Sequence, residues 1–330
     1  MPCDNHGILI ISLDFELHWG MRDHLSVDGF RGRGLETRAA IPRILDLFQE
    51  YGIHATWAAV GFLFFDNRED LLEDIPDKLP NYVRSRLSAY SELLSLGRDE
   101  EEDPCRFAAS LIRRISSTPH QEIGSHTFSH YLCREKGQGI EDFEVDLKAA
   151  KKAAQRHQLE LKSFVFPRNQ VNPEFLPLLS EQGYLCYRGN SRLPSAEKIE
   201  DPVQTLWPRL LRLADSYVGF LGFNTYPMKQ IVPGPLVNIP ASRFLRPYSA
   251  SLKWLEPLKI GKIRSSLTRA ARKGEIFHLW WHPHNFGRHT DENLRNLEKI
   301  LRHFQKLNRD YQMTSCNMGE LASRLEEPKT

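Results

Sequence analysis

The sequence predicts an α/β protein built on a parallel sheet, either open or closed into a barrel. Two observations lead to this fold class. Short apolar runs of strand length alternate along the chain with stretches in which apolar residues recur at helical spacing. The chain has 330 residues, which is long enough for one enlarged barrel or for two smaller domains.

The first half of the chain shows the alternation clearly. Residues 8–16 form a strongly apolar predicted strand that ends in charge, and residues 36–51 follow with a helical period that stops at Gly52. Glycine commonly follows a helix because it adopts the left-handed conformation without strain. The same reasoning predicts strands at 54–61 and 122–126 and a helix at 142–157.

The second half repeats the pattern around two long interruptions. Strands are predicted at 163–169, 184–187 and 276–282, with helices at 173–182, before Gly183, and at 291–307. Residues 62–120 and 190–275 carry helical patterns or frequent prolines instead. We interpret these two stretches as insertions that wall a substrate cleft. A single catalytic domain over residues 1–330 is therefore preferred to two domains.

Composition narrows the function classes. Lys and Arg number 44 against 42 Asp and Glu, so the formal net charge is only +2, and we expect no nucleic-acid partner. No apolar run approaches the ~20 residues that span a bilayer. The start is polar, which predicts a protein without a leader peptide. Five scattered cysteines fit reduced thiols. These features together predict a cytoplasmic protein.

The first predicted strand carries the most informative pattern. Period-two alternation places the even-numbered residues Ser12, Asp14, Glu16 and His18 on one face. The odd-numbered residues form an apolar face. Ionisable side chains thus gather at the carboxyl end of a buried strand, which is the active end in parallel α/β folds. Burying two carboxylates there is costly without a cation or hydrogen bonds.

Three further motifs follow other predicted strands. His126 and His130 are four residues apart, so one helical turn after Ser125 would point both imidazoles towards one metal. Arg168 ends an apolar strand and would lower the pKa of a neighbouring carboxylate. The late strand places His278, His282 and His284 on one aromatic-rich face. In a parallel barrel all these strand ends meet at one edge. One carboxylate and two histidines form a common catalytic zinc set, and the remaining groups suit acid–base work in amide or ester hydrolysis.

The motifs together resemble those of the polysaccharide deacetylases, carbohydrate esterase family four, with the nodulation-factor deacetylase homology domain. SLDFE (12–16) resembles the motif that holds a base and a metal ligand, and SHTFSH (125–130) is similar to the metal-binding His-(Ser/Thr)-x-x-His motif. FPRN (166–169) resembles a rearranged arginine motif, and WWHP (280–283) resembles the late strand with the catalytic histidine. The resemblance implies a distorted, incomplete (β/α)7-type barrel with helical insertions.

The resemblance also implies roles for individual residues. Asp14 would be the general base, Arg168 would position it, and His282 would be the general acid, with His278 and His284 as alternatives to His282. The implied metal ligands are Glu16, His126 and His130, and zinc is the usual divalent metal. Residues beside these motifs, which we expect to contact substrate, are His18, Trp19, Asn169 and His284.

Three functions are compatible with this sequence. The first is hydrolysis of an N-acetyl or N-formyl group from an amino sugar, as a nucleotide- or lipid-linked precursor of a surface polysaccharide such as an O-antigen of lipopolysaccharide. The second is hydrolysis of a small non-sugar amide, as in allantoinase-like proteins. The third is non-catalytic carbohydrate binding by a protein whose Asp-x-Glu motif no longer holds metal.

Overall fold

The computed structural model describes residues 6–191, 222–232 and 234–326. Part of the second predicted insertion, residues 192–221, lies outside this range. The described strands are β1 (Ile8–Phe15), β2 (Ala55–Ala59), β3 (Gln121–Ser125), β4 (Ser163–Phe164), β5 (Cys186–Gly189), β6 (Tyr226–Pro227), β7 (Val237–Pro240), β8 (Arg243–Phe244), β9 (Glu275–Trp281) and β10 (Thr314–Cys316). The described helices are α1 (Val27–Glu50), α2 (Arg68–Glu73), α3 (Ala109–Ser117), α4 (Ile140–Gln155), α5 (Leu176–Glu181), α6 (Glu256–Lys273), α7 (Thr290–Tyr311) and α8 (Met318–Glu326).

The strands form a mostly parallel sheet that is nearly closed into a barrel. Its order is β6-β9-β1-β2-β3-β4-β5-β7, and β8 returns to pair with β9. Because β7 pairs with β5 and β8 pairs with β9, the segment 237–244 connects the two sides of the sheet. Strand β6 pairs antiparallel with β9 at the edge. The predicted parallel barrel is confirmed.

The core has two apolar layers separated by the sheet. Odd-numbered residues of β1, such as Leu9 and Leu13, pack with the helices in the large outer cluster. Even-numbered Ile8 and Ile10 pack with Val165, Cys186 and other inward-facing residues in a smaller cluster. Helix α8 contributes Met318 and Leu321 to that inner cluster, which closes the amino-terminal end of the barrel. The alternation predicted for β1 is therefore confirmed.

The first predicted insertion consists of helical segments. Residues 62–120, all within the described part of the chain, hold α2, α3 and short 3-10 turns such as Ala89–Ser95. The described part of the second predicted insertion includes α6. Among the described residues, no helix has both the length and the apolar character that crossing a membrane requires.

Candidate active site

Two carboxylates end the central strand of the barrel. Strand β1 lies between β2 and β9, and Asp14 and Glu16 project from its carboxyl end. Both side chains are almost fully buried. Gly20 leaves room for Glu16, because a Cβ at position 20 would stand about 2 Å from the Glu16 carboxylate. Two charges so close together under burial require partners, and each carboxylate has a different kind of partner.

Asp14 is paired with the buried Arg188 of β5. The Arg188 Nη1 and Nη2 atoms lie 2.6 and 2.8 Å from Asp14 Oδ1 and Oδ2, which is a bidentate ion pair. Arg188 also donates to Ser12 Oγ at 3.1 Å, and its guanidinium lies 4.2 Å from the Trp280 ring centroid. Burial by itself would raise the pKa of Asp14, but the charge and hydrogen bonds of Arg188 lower it below its ordinary value.

The prediction that Arg168 positions Asp14 is wrong, because Arg168 does not contact Asp14. Arg168 donates instead to Asp23. Strand β4 has only two residues, and Arg168 and Asn169 have left-handed φ angles of 55° and 54°, so the chain turns away before Arg168 can extend the strand. Asn169 does reach the pair, because its Oδ1 accepts a hydrogen bond from Arg188 Nη2 at 2.9 Å. Sequence reasoning missed Arg188 because the predicted fifth strand stopped at residue 187, although alternation from Cys186 would have placed it inside.

Glu16 is paired with the two histidines that follow β3. His126 Nε2 and His130 Nε2 lie 3.3 and 3.1 Å from the same oxygen, Glu16 Oε2. The expected helical turn is wrong, since the segment after Ser125 is irregular, with left-handed φ angles at Thr127 and His130. The convergence of the two imidazoles on one point is nevertheless as predicted.

Buried hydrogen bonds fix the segment that carries the histidines. The Asp146 carboxylate of α4 accepts from the backbone N–H of Phe128 at 2.6 Å and from the N–H and hydroxyl of Ser129 at 3.1 and 2.5 Å. Burial raises the pKa of Asp146 to about 6 in spite of these bonds. His126 Nδ1 is 2.8 Å from the Val165 carbonyl oxygen, which can only accept, so Nδ1 carries a proton.

The Glu16 group fits a divalent metal. One ligand atom from each of Glu16, His126 and His130 lies within 4.8 Å of the others, and all three side chains are buried. His126 Nε2 is buried without a hydrogen-bond partner, as expected of a nitrogen whose natural partner is a metal. Burial would raise the pKa of Glu16, but His282, His126 and His130 together lower it well below its ordinary value, so its oxygens are available as ligands.

The late histidines surround the same two carboxylates. His282 Nε2 lies 3.6 Å from Asp14 Oδ2 and 3.7 Å from Glu16 Oε1, and its side chain is 25% exposed. His284 is buried, with Nδ1 3.7 Å from Glu16 Oε1. His278 lies deeper, bonded to Ser12 Oγ at 2.8 Å, and burial lowers its pKa to about 3. His282 is thus the member of this trio that faces both carboxylates and remains open to solvent.

Two of the expected substrate contacts are wrong. Trp19 is fully buried and donates its indole N–H to the Arg106 carbonyl at 2.9 Å, so it has no free ring face for a sugar. His18 is also buried, with Nε2 2.9 Å from the Leu25 carbonyl oxygen. The strand alternation that suggested both residues ends at Glu16, because Leu17 has a left-handed φ of 44° and a 3-10 turn follows.

Comparison with known proteins agrees with the chemistry of this site. The sequence profile described as "Polysaccharide deacetylase" matches residues 28–187, which include the His126–His130 segment. Residues 28–187, just under half of the chain, are a polysaccharide deacetylase domain. The chain is therefore a deacetylase-type hydrolase that acts on carbon–nitrogen bonds and removes acyl groups from carbohydrate. No curated protein matches this polysaccharide deacetylase.

Solved structures support the fold of this polysaccharide deacetylase over the whole chain. A protein described as a polysaccharide deacetylase from Mycobacterium smegmatis has a TM-score of 0.61 at 14% identity, covering 98% of this chain and 92% of its own. A second, from Pseudomonas aeruginosa PAO1, has a TM-score of 0.56 at 12% identity, covering 99% and 94%. PuuE allantoinase has a TM-score of 0.57 at 12% identity, covering 100% and 94%. At such identities the likeness shows the shared fold.

Proposed function

We propose that this polysaccharide deacetylase removes an N-acetyl or N-formyl group from an amino sugar, with a divalent metal, zinc, at Glu16, His126 and His130. One observation carries the proposal. Two carboxylates at the end of β1 have opposite kinds of partner: Asp14 is bonded to a cation, and Glu16 faces two imidazole nitrogens. Asp14 is thus suited to act as a base, and Glu16 is suited to act as a metal ligand.

The residues divide the chemistry between them. A divalent metal, when bound, would polarise the acyl carbonyl and make an attacking water more acidic. Asp14, kept ionised by Arg188, takes one proton from the water as its oxygen attacks the acyl carbon. His282 gives a proton to the nitrogen as the carbon–nitrogen bond breaks, so that a carboxylic acid and an amine are released. His282 suits this role because its partly exposed side chain is within reach of a bound substrate.

The substrate we propose is an amino sugar carried on a nucleotide or lipid, a cytoplasmic precursor of a surface polysaccharide such as an O-antigen. Partly exposed aromatic rings support a sugar at this site. The ring centroids of Phe244 and Trp280 lie 5.8 and 5.6 Å from that of His282, and neither ring is fully buried. Asn169, which accepts from Arg188, and the buried His284, which faces Glu16, are the polar side chains that we propose for substrate contacts.

The proposal is tested by measuring acetate and formate released from a panel of N-acylated amino sugars, free, nucleotide-linked and lipid-linked. Release by the zinc-loaded wild type, lost in Asp14→Asn and His126→Ala, is the expected result. His120→Ala is the matched control, since His120 lies at the opposite end of β3. Small cyclic and linear amides belong in the same panel. Cleavage of those amides without cleavage of amino sugars would assign the site an allantoinase-like substrate, and cleavage of neither would overturn the proposed substrate class.

A further inference from the structure

The two histidines of the candidate metal site have different hydrogen-bond partners on their far side. His126 Nδ1 faces the Val165 carbonyl oxygen, an acceptor, at 2.8 Å. His130 Nδ1 faces the guanidinium of Arg22, with Nη1 at 3.1 Å. A metal-binding imidazole ordinarily donates its second nitrogen to a carbonyl or carboxylate, which leaves the first nitrogen bare for the metal. His126 follows that rule and His130 does not.

Arg22 is held firmly in this position. It is buried and donates to the carbonyl oxygens of Trp19 and Leu87. Its Nη2 also lies 3.5 Å from the His130 carbonyl oxygen. A guanidinium has five N–H donors and no acceptor, and it does not lose its proton in proteins. The contact with His130 Nδ1 is therefore a hydrogen bond in which Arg22 donates and the ring nitrogen is unprotonated.

The proton of a neutral His130 ring must then be on Nε2, the nitrogen that points at Glu16. The 3.1 Å separation between His130 Nε2 and Glu16 Oε2 is that of an N–H donating to a carboxylate. We propose that Arg22 fixes His130 in the tautomer protonated at Nε2, and that it thereby lowers the affinity of the Glu16–His126–His130 site for divalent metal. This inference rests on the proposed function, because it takes these three residues as the metal ligands.

Two physical effects act in the same direction. For Nε2 to bind a metal, its proton must leave or move to Nδ1, where an Arg22 N–H already stands. In addition, Arg22 places a buried positive charge next to a ligand of a divalent cation, with little solvent to screen it. Arg22 is thus a positioning residue that acts through His130.

The test measures zinc affinity by competition with a chelating dye. The proteins are the full-length wild type and the variants Arg22→Gln, Arg22→Lys and His126→Ala. Glutamine can turn its carbonyl oxygen to accept from His130 Nδ1, whereas lysine keeps a charged donor. We expect Arg22→Gln to bind zinc at least tenfold more tightly than the wild type and Arg22→Lys to stay near the wild type. Arg106→Gln is the matched control, because Arg106 is an equally buried arginine whose bonds go to Asp103 and Ser95.

A second readout needs no metal and no activity. The ¹⁵N chemical shifts of the metal-free wild type should show His130 unprotonated at Nδ1 and His126 protonated there, with His130→Gln used for assignment. A His130 ring protonated at Nδ1 would overturn the inference even if Arg22→Gln failed to fold. Zinc binding that depends on His126 but is unchanged by Arg22→Gln would overturn the inference about Arg22. The proposed metal site would stand. Absence of His126-dependent zinc binding in every protein would overturn the proposed metal site and this inference with it.

Discussion

Two clusters of one glutamate and two histidines lie at opposite ends of the barrel. At the carboxyl ends of the strands Glu16 meets His126 and His130, and at the amino ends Glu320 meets His54 and His120. In both clusters one ligand atom per residue lies within 4.8 Å of the others. The two clusters therefore offer the same set of metal-ligand atoms. That set alone does not distinguish a metal site from a structural contact.

Ring orientation and free lone pairs distinguish the two clusters. The His54 and His120 rings are stacked, 4.0 Å apart and only 8° from parallel, and His54 Nδ1 is already bonded to both Glu320 oxygens at 2.7–2.8 Å. A nitrogen lone pair lies in the plane of its ring, so two stacked rings cannot direct theirs at one ion. The His126 and His130 rings are tilted by 64°, and both Nε2 atoms face one oxygen. Geometry and burial thus favour the Glu16 cluster as the metal site.

Removing one histidine from each cluster tests which of the two binds metal. We expect His126→Ala to weaken zinc binding at least about a hundredfold, because a ligand is lost from a three-ligand site. His120→Ala should change it less than twofold. Zinc titration of the two variants checks both values. Equal losses in the two variants would mean that the two clusters cannot be distinguished by ring geometry.

Arg188 and Arg168, the two arginines near the site, should differ in their effect on catalysis. Arg188→Met should lower kcat/KM about a hundredfold, within the range expected when a general base is disturbed. It should also shift the acidic limb of the pH profile to higher pH, because Asp14 loses the charge that lowers its pKa against the effect of burial. Arg168→Met, which frees Asp23 instead, should cost no more than about threefold. A larger loss for Arg168→Met would restore the role first assigned to it from sequence.

Asp146, which holds the His126–His130 segment in place, should have a smaller effect on zinc affinity. Asp146→Asn removes one acceptor oxygen beneath Phe128 and Ser129 and should weaken zinc binding about tenfold, the lower end for residues that hold metal ligands in place. Titration with zinc provides the measurement, and circular dichroism shows whether the variant is folded. Unchanged affinity in a folded variant would mean that the segment keeps its shape without Asp146.

The smallest predicted effect belongs to the amino-terminal cluster and concerns stability. Glu320 accepts from His54 and from the Asn317 backbone N–H, while Asn317 Oδ1 accepts from the Glu320 N–H, a reciprocal cap at the start of α8. Glu320→Gln should lower the free energy of unfolding by about 1 kcal/mol at pH 7 and leave hydrolysis unchanged. Denaturant unfolding measures the difference.

The pH dependence of that difference has a definite sign. Burial would raise the pKa of Glu320, but the bond to His54 and its other partners lower it below its ordinary value in the folded protein. A lowered folded pKa stabilises the protein above the unfolded pKa, and the contribution disappears as the pH falls through the folded pKa. The gap between wild type and Glu320→Gln should therefore narrow below about pH 4.5. A gap that widens in acid would contradict the assignment.

Local patterns in the sequence predicted much of the fold and part of the candidate site. Alternation in β1 placed Asp14 and Glu16 on the inner face, and spacing brought His126 and His130 together, because both depend on neighbours in the chain. Arg188 was missed because its partner is set by the closure of the barrel, which brings β5 opposite β1.

The wrong expectations have a common physical cause. His18 and Trp19 follow the left-handed Leu17, and Arg168 is itself left-handed, so period-two alternation no longer applies at these positions. Nothing in the local sequence marks Leu17, a β-compatible side chain, as left-handed. Strand periodicity therefore does not determine the direction that the chain takes after a strand ends.

The pairing of β1 with β9 has a consequence for the order in which the site is made. Residues 8–13 pair with residues 276–281, so β1 leaves the ribosome long before the strand beside it is made. At about 5–20 residues per second, the strand that carries Asp14 and Glu16 spends tens of seconds without that neighbour. The His126–His130 segment is synthesised early, whereas His282 arrives only with β9. A nascent chain therefore lacks the full set of site residues until His282 has been made, and the apolar β1 needs protection from aggregation during that interval.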